Sequence, residues 1–218
     1  VYRMGDEEVV ALKRINLRIY KGEVCCIFGT SGSGKSTLLN QLAGMEKPTK
    51  GQVFIRGKNI SDMNEEELAA FRQEHMSFIF QSYNLLPSMT AVENVAMPLM
   101  FKGMDRKRRE AMAEEMLKRV GLSHRLHHYP SQMSGGQQQR AGIARAFVSR
   151  PEVVFADEPT GNLDTKTTAE IMDMVMGFAR RFNQTIILVT HDPGMSRYAD
   201  RIVTLVDGII TGDERKGQ

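Results

Sequence analysis

The stretch Gly29-Thr30-Ser31-Gly32-Ser33-Gly34-Lys35-Ser36-Thr37 follows an apolar run, Val24-Cys25-Cys26-Ile27-Phe28, and precedes Leu38-Leu39-Asn40-Gln41-Leu42-Ala43. It fits the pattern G-x-x-x-x-G-K-[ST], placed between a strand and a helix. A polyphosphate chain needs a concavity of backbone N–H groups, and only small residues let a backbone wrap that closely. Gly29, Gly32 and Gly34 meet that need, and the helix beyond turns its positive end toward the same anion. In such a loop Lys35 reaches the β- and γ-phosphates and the Ser36 hydroxyl ligates Mg²⁺. At average residue usage the four fixed positions arise by chance in about 1% of chains this long, so a plain Gly/Ser turn is the weaker explanation. The stretch predicts an α/β fold with a nucleotide at its first strand-to-helix turn.

The rest of the chain must be compatible with that turn. Its 218 residues suffice for one large domain, or for a core with an inserted subdomain. A 41% hydrophobic and 25% charged composition is that of an ordinary soluble globular protein. The formal charge of +3, from 29 basic and 26 acidic residues, is too balanced to argue for nucleic acid or an anionic membrane, and no nucleic-acid partner is expected. No apolar run approaches the roughly 18 residues of a membrane span, and Val1-Tyr2-Arg3-Met4-Gly5-Asp6-Glu7-Glu8 has no signal-peptide character. The expected location is cytoplasmic, with a few residues removed ahead of Val1. Cys25 and Cys26 are adjacent in a strand and point to opposite faces, so they read as buried thiols in a reducing compartment rather than a disulfide or metal site.

Upstream, Ile15, Leu17 and Ile19 alternate with Asn16, Arg18 and Lys21, which predicts an antiparallel strand covered on one face. Tyr2 could stack on a base, although a lone tyrosine near a terminus is ordinarily just half-exposed. Downstream, Gly51 to Gly57 reads as a short strand and turn, Asn64 with Glu67 as a capping box, and Met76-Ser77-Phe78-Ile79-Phe80 as a strand ending at Gln81. The following Ser82-Tyr83-Asn84-Leu85-Leu86-Pro87-Ser88-Met89 is unusually apolar for a loop. Exposed Leu85, Leu86 and Met89 there suggest a docking surface. Helices are expected over 90 to 120, one leading to Pro98 and one from Asp105 to Gly121. Arg106-Lys107-Arg108-Arg109, followed by Glu110, Glu114 and Glu115, reads as a solvated helix face. His124, His127 and His128 read as surface histidines.

Three further segments carry chemistry. Ser134-Gly135-Gly136-Gln137 opens a helix ending near Arg150-Pro151; a serine N-cap followed by two glycines leaves amides uncovered and suits an anion. Glu152 to Ala156 is an apolar strand ending in Asp157-Glu158, and the carboxyl ends of strands in an open parallel sheet are where ligands sit. There Asp157 could hold Mg²⁺ through its water shell and Glu158 could polarise an attacking water. Asp164 caps a long amphipathic helix. The continuous apolar run Thr185-Ile186-Ile187-Leu188-Val189-Thr190 reads as a doubly buried parallel strand ending at His191-Asp192.

Taken in order, these motifs resemble an ATP-binding-cassette (ABC) ATPase, the nucleotide-binding subunit of an ABC transporter, from Tyr2 to the strand Arg201 to Gly208. Met133-Ser134-Gly135-Gly136-Gln137 is similar to the ABC signature, with Met for the usual Leu, a near-equal volume. The segments at 81–87, 136–140 and 161–164 look most like the lipoprotein-release and macrolide-export branch, which also includes a cell-division relative. The resemblance implies a P-loop NTPase (RecA-like) α/β core with a mostly parallel sheet, an N-terminal antiparallel β subdomain and an inserted helical subdomain. All 218 residues would form one ABC domain, with the core at 1–81 and 151–218 and the helical part at 82–150.

The same resemblance assigns Tyr2 to adenine stacking, residues 29–37 (Gly29, Thr30, Ser31, Gly32, Ser33, Gly34, Lys35, Ser36, Thr37) to the Walker A loop and Gln81 to the Q-loop. It makes Asp157 and Glu158 the Walker B aspartate and catalytic glutamate, Asp164 the D-loop aspartate and His191 the switch histidine. Ser36, Gln81 and Asp157 would attend Mg²⁺. It implies ATP hydrolysis, a head-to-tail homodimer around two ATP molecules in which Ser134, Gly135, Gly136 and Gln137 of one copy face the Walker A loop of the other, and integral membrane subunits docking near Tyr83 to Met89. The protein would then sit on the inner face of the cell membrane. The alternative is a non-transport ABC ATPase of a membrane-associated, division-type complex.

Overall fold

A computed structural model describes residues 1–4 and 7–216. The chain folds as two compact units, residues 1–72 with 185–218, and residues 73–184. The expected helical segment 82–150 lies within the second.

In the first unit β1 (Tyr2–Met4) and β2 (Glu7–Val9) form an antiparallel pair. They are followed by β3 (Val24–Phe28), α1 (Lys35–Leu42) and a two-residue hairpin, β4 (Phe54–Ile55) with β5 (Lys58–Asn59). Next comes α2 (Glu65–His75), which crosses the division between the units. Asn64 and Glu67 form the expected reciprocal cap, each side chain bonding the other's backbone amide at 2.9 Å.

In the second unit β6 (Met76–Phe80) leads to α3 (Ala91–Phe101), α4 (Arg106–Arg119), α5 (Gly135–Val148), β7 (Val153–Asp157) and α6 (Thr165–Phe182). The chain then returns to the first unit through β8 (Thr185–Thr190), β9 (Arg201–Val206) and β10 (Ile209–Arg215).

Strand β3 pairs in parallel with both β8 and β9, and β10 runs antiparallel beside β9. Six apolar or β-branched residues in a row make β8 buried at every position, the pattern of a strand covered on both faces. Cys25 and Cys26 are buried and unbridged in β3. Burial pushes their thiols up to about 12 and about 11. The antiparallel strand expected around Ile15 to Ile19 is absent: residues 10–23 carry no strand. The burial still alternates, with Ile15, Leu17 and Ile19 half-buried and Asn16 and Arg18 exposed. Alternation reports which side chains face the core and does not require a hydrogen-bonded ladder.

In the second unit β6 and β7 are parallel, and α3, α4 and α5 pack on one another. Phe78 stacks on Phe155 at 5.3 Å and Phe147 meets Phe178 at 5.2 Å between ring centroids. Helix α3 continues through Pro98, past the stop expected there, and ends at Phe101. Asp105 caps α4 and Gly121 follows it at φ 78, the left-handed exit that glycine allows. The apolar loop 82–90 is anchored by Asn94, fully buried in α3. Its side chain accepts from Leu86 N at 2.7 Å and donates to the carbonyls of Leu86, Met89 and Thr90 at 3.0–3.1 Å. Leu85 and Met89 lie in half-buried positions, so of the three side chains expected to be exposed only Leu86, at 41%, is.

Candidate active site

In the first unit the glycine-rich loop joins β3 to α1. Gly32 and Gly34 adopt φ 79 and 98, and Gly34 stands at the N-cap of α1 with no side chain capping the helix. Its first-turn amides therefore face outward as an anion cradle. The cradle is tight from behind: a Cβ at Gly34 would lie 2.6 Å from the Ala11 carbonyl oxygen, and one at Gly29 would collide with the Leu205 carbonyl. Lys35 is buried, and its ammonium donates to Thr30 O at 2.7 Å, spanning the loop it serves. Ser36 is exposed and Thr37 half-buried in the first helical turn.

Tyr2 stands beside that turn. Its hydroxyl donates to Glu46 Oε2 at 2.5 Å and lies 3.3 Å from Thr37 Oγ1, leaving the residue 38% exposed. Partial burial, followed by the Glu46 hydrogen bond, raises the phenol pKa. Across the sheet the last β3–β8 pair is Phe28 with Thr190, so Gly29 and His191 leave neighbouring strands at the same level, about 4.8 Å apart by strand spacing. His191 is exposed. Asp192 is occupied in capping the turn at Pro193, its Oδ1 accepting from Gly194 N at 2.8 Å.

The second unit repeats this arrangement. Phe80 pairs with Asp157, so Gln81 and Glu158 leave β6 and β7 side by side. Asp157 and Glu158 are half-buried, and Glu158 adopts φ 43 just before Pro159. A non-glycine residue there costs about 1–2 kcal/mol, strain that the surrounding turn must hold. Two contacts do so: Gly161 N donates to Glu158 O at 3.0 Å, and the buried Gln139 of α5 donates to Pro159 O. The Gln81 side chain packs over Gly161, where a Cβ would come within 2.7 Å of Nε2, and Gln81 and Asn162 exchange hydrogen bonds at 3.2 and 3.4 Å.

Ser134 caps α5 in a reciprocal box with Gln137, at 3.4 Å to Gln137 N and 3.1 Å from Ser134 N to Gln137 Oε1. Gly135 and Gly136 occupy the first turn, and Met133 before them is buried. The Asp164 carboxylate accepts from Lys166 N, Thr167 N and Thr167 Oγ1, and the Thr167 hydroxyl, followed by its amide, lowers the Asp164 pKa. Two supporting residues escape sequence reasoning, Glu46 behind Tyr2 and Gln139 behind Glu158. For Gln139 a signal exists: it lies four residues before Ile143 and eight before Phe147, a polar residue on the buried stripe of α5.

A model of the ABC transporter family matches residues 12–161. The chain belongs to the ABC transporter family. It is the family's ATP-binding, ATP-hydrolysing domain. An ABC transporter ATP-binding protein of Methanocaldococcus jannaschii, MJ1508, is 48% identical over 210 residues, 96% of this chain and 93% of that protein. The macrolide export ATP-binding/permease protein MacB of Shewanella sp. (strain W3-18-1) is 47% identical over 215 residues, 99% of this chain but 33% of MacB. The chain thus spans about a third of that ATP-binding/permease relative and nearly all of the other. Among solved structures, the dimeric post-hydrolysis state of the ATP-binding cassette MJ0796 bound to ADP and Pi superimposes with a TM-score of 0.91. It is 42% identical over 98% of this chain and 94% of its own. The ABC domain described here has no helix among its described residues long and apolar enough to cross a membrane.

Proposed function

We propose that this ABC domain closes as a homodimer on two MgATP molecules and, through hydrolysis, drives membrane subunits of the lipoprotein-release or macrolide-export type. The observation that carries the reading is the loop between β3 and α1. An uncapped helix start, glycines at φ 79 and 98, and a buried lysine bonded to the Thr30 carbonyl form a polyphosphate cradle that admits no Cβ at Gly34. A phosphate chain entering it draws the Lys35 ammonium from Thr30 O onto the β/γ oxygens. Tyr2, steadied by Glu46, offers its ring to adenine.

Mg²⁺, when bound, neutralises charge on the β- and γ-phosphates. By their chemistry the Ser36 hydroxyl, the Asp157 carboxylate and the Gln81 amide would supply its protein oxygen ligands, directly or through water. Glu158, held in its left-handed turn, accepts the proton of the attacking water. His191 contacts the γ-phosphate from the end of β8, and Asp164 fixes the start of α6. The Gly135 and Gly136 amides with the Ser134 hydroxyl meet the γ-phosphate of a second copy. This explains an anion site that opens α5 far along the sequence from the lysine loop. The partial exposure of the 82–90 loop around Leu86 suits docking on a membrane subunit, which would hold the domain at the inner face of the membrane.

The test is a pair of variants. Glu158→Gln should abolish turnover and keep ATP binding, and Lys35→Ala should abolish binding. Wild-type turnover in the first, or unchanged nucleotide affinity in the second, overturns the assignment.

A further inference from the structure

The loop leaving β6 turns through two successive left-handed residues, Tyr83 at φ 62 and Asn84 at φ 47. Asparagine tolerates that region; a bulky tyrosine there is an outlier whose cost something must offset. Helical dihedrals of either hand align successive peptide dipoles, whereas extended chain alternates them, so this turn presents two carbonyls on one side. A single guanidinium collects both. Arg145 of α5 donates from Nη2 to Tyr83 O at 2.8 Å and from Nη1 to Asn84 O at 2.5 Å. Arg145 is half-buried, and its desolvation pulls the guanidinium pKa down, so a partly desolvated cation holds the loop.

The tyrosine reaches the other end of the same helix. Its hydroxyl lies 2.8 Å from where a Cβ on Gly135 would stand, and a Cβ on Gly142 would lie 3.5 Å from its carbonyl oxygen. The loop that begins with Gln81 is therefore laid along α5 from Arg145 to the glycine following Ser134.

We propose that Arg145 is a positioning residue for hydrolysis: its fork keeps the Tyr83–Asn84 turn left-handed and makes Gln81 and the Ser134 end of α5 move as one piece. The proposal rests on the roles given above to Gln81 and Ser134. It also gives Gly135 a reason beyond anion binding, since any side chain there would displace Tyr83.

Arg145→Lys keeps the charge but cannot bond two carbonyls in one plane. Steady-state hydrolysis by the full chain should lose about tenfold or more in kcat, the scale of a misplaced positioning group, while ATP affinity stays within about threefold. Asn84 is exposed, so its variants do not threaten folding. Asn84→Val, which disfavours the left-handed turn and leaves Arg145 intact, should show the same split between kcat and affinity. Asn84→Gly, which favours that turn, should restore most of the rate when added to Arg145→Lys. Wild-type kcat in Arg145→Lys, or no recovery on adding Asn84→Gly to a folded Arg145→Lys protein, overturns the proposal. Should Arg145→Lys fail to fold, wild-type kcat in Asn84→Val overturns it alone. Glu158→Gln run in parallel separates the levels: its inactivity beside an unaffected Arg145→Lys refutes only the positioning role, whereas its full activity refutes the hydrolytic reading beneath it.

Discussion

Gly34→Ala tests whether the phosphate loop is braced from behind, and Gly32→Ala is its internal control. Both glycines have positive φ, 98 and 79, so both substitutions pay a left-handed cost of about 1–2 kcal/mol less the roughly 0.4–1 kcal/mol gained by stiffening the unfolded chain. They differ in surroundings. A Cβ at Gly32 meets nothing within 4 Å, whereas one at Gly34 lies 2.6 Å from the Ala11 carbonyl oxygen and 3.1 Å from Leu12 Cδ2. That carbonyl cannot retreat. Lys13 N donates to Gly208 O at 2.7 Å, Gly208 N donates to Ser33 O at 3.0 Å, and Gly208 itself runs so close to the same oxygen that a Cβ on it would collide there. Overpacking against a pinned backbone adds about 1–3 kcal/mol, for a total of about 2–4 kcal/mol at Gly34 against about 1 kcal/mol at Gly32. For a chain of this length that corresponds to a fall in Tm of roughly 5–15 °C against roughly 2–4 °C. Thermal unfolding by circular dichroism without nucleotide measures both. Equal losses in the two variants would refute the bracing argument.

Other consequences are equally direct. Cys25 and Cys26 should resist a thiol reagent at pH 8.5 until the chain unfolds; rapid labelling of native protein would contradict their burial. Because their folded pKa values, about 12 and about 11, lie above the ordinary value of about 8.5, the unfolded chain loses thiol protons first, and stability should fall as pH rises from about 8.5 toward those values. Thr90→Ala removes the α3 cap, in which Glu93 Oε2 accepts from Thr90 N and Oγ1 at 2.8 Å each, and should cost about 1 kcal/mol in thermal or denaturant unfolding. The Thr90 backbone bond leads in lowering the Glu93 pKa, so that contribution is present above about pH 4.3 and disappears as pH falls through the folded pKa. Thr90→Ala keeps that backbone donor and removes only the hydroxyl bond, the second contribution, so the pH dependence of Tm below about 5 should become only slightly shallower. Tyr2→Ala should weaken ATP binding by roughly tenfold, the scale of one base–aromatic stack, with kcat at saturating ATP preserved; unchanged affinity would remove Tyr2 from the site.

Local rules made much of this domain legible from its sequence. Met76–Phe80 and Thr185–Thr190 have the observed strand bounds because short, largely apolar runs rich in β-branched and aromatic residues, each ending at a polar residue, suit a buried strand. Asn64, Asp105, Ser134 and Asp164 begin helices as expected, since capping is decided within three residues of chain. Errors arose where a local pattern has two physical origins. Alternation at Ile15 to Ile19 reflects half-burial without pairing, and the apolar side chains of the 82–89 loop mostly turn inward where the buried amide of Asn94 holds the backbone. Contacts bridging long sequence distances were beyond reach. Arg145 lies 61 and 62 residues from the carbonyls it grips, and Glu46 lies 44 from Tyr2.

In the proposed dimer the lysine loop is half of a site completed by Ser134 of a second copy. Light scattering on Glu158→Gln with saturating MgATP measures this directly, because blocked hydrolysis traps the closed form. The expected result is twice the chain mass with MgATP, a single-chain mass without it, and a single-chain mass again when Ser134→Arg is added to fill the anion site. A variant that binds MgATP yet stays a single chain, or a dimer indifferent to Ser134→Arg, would contradict it.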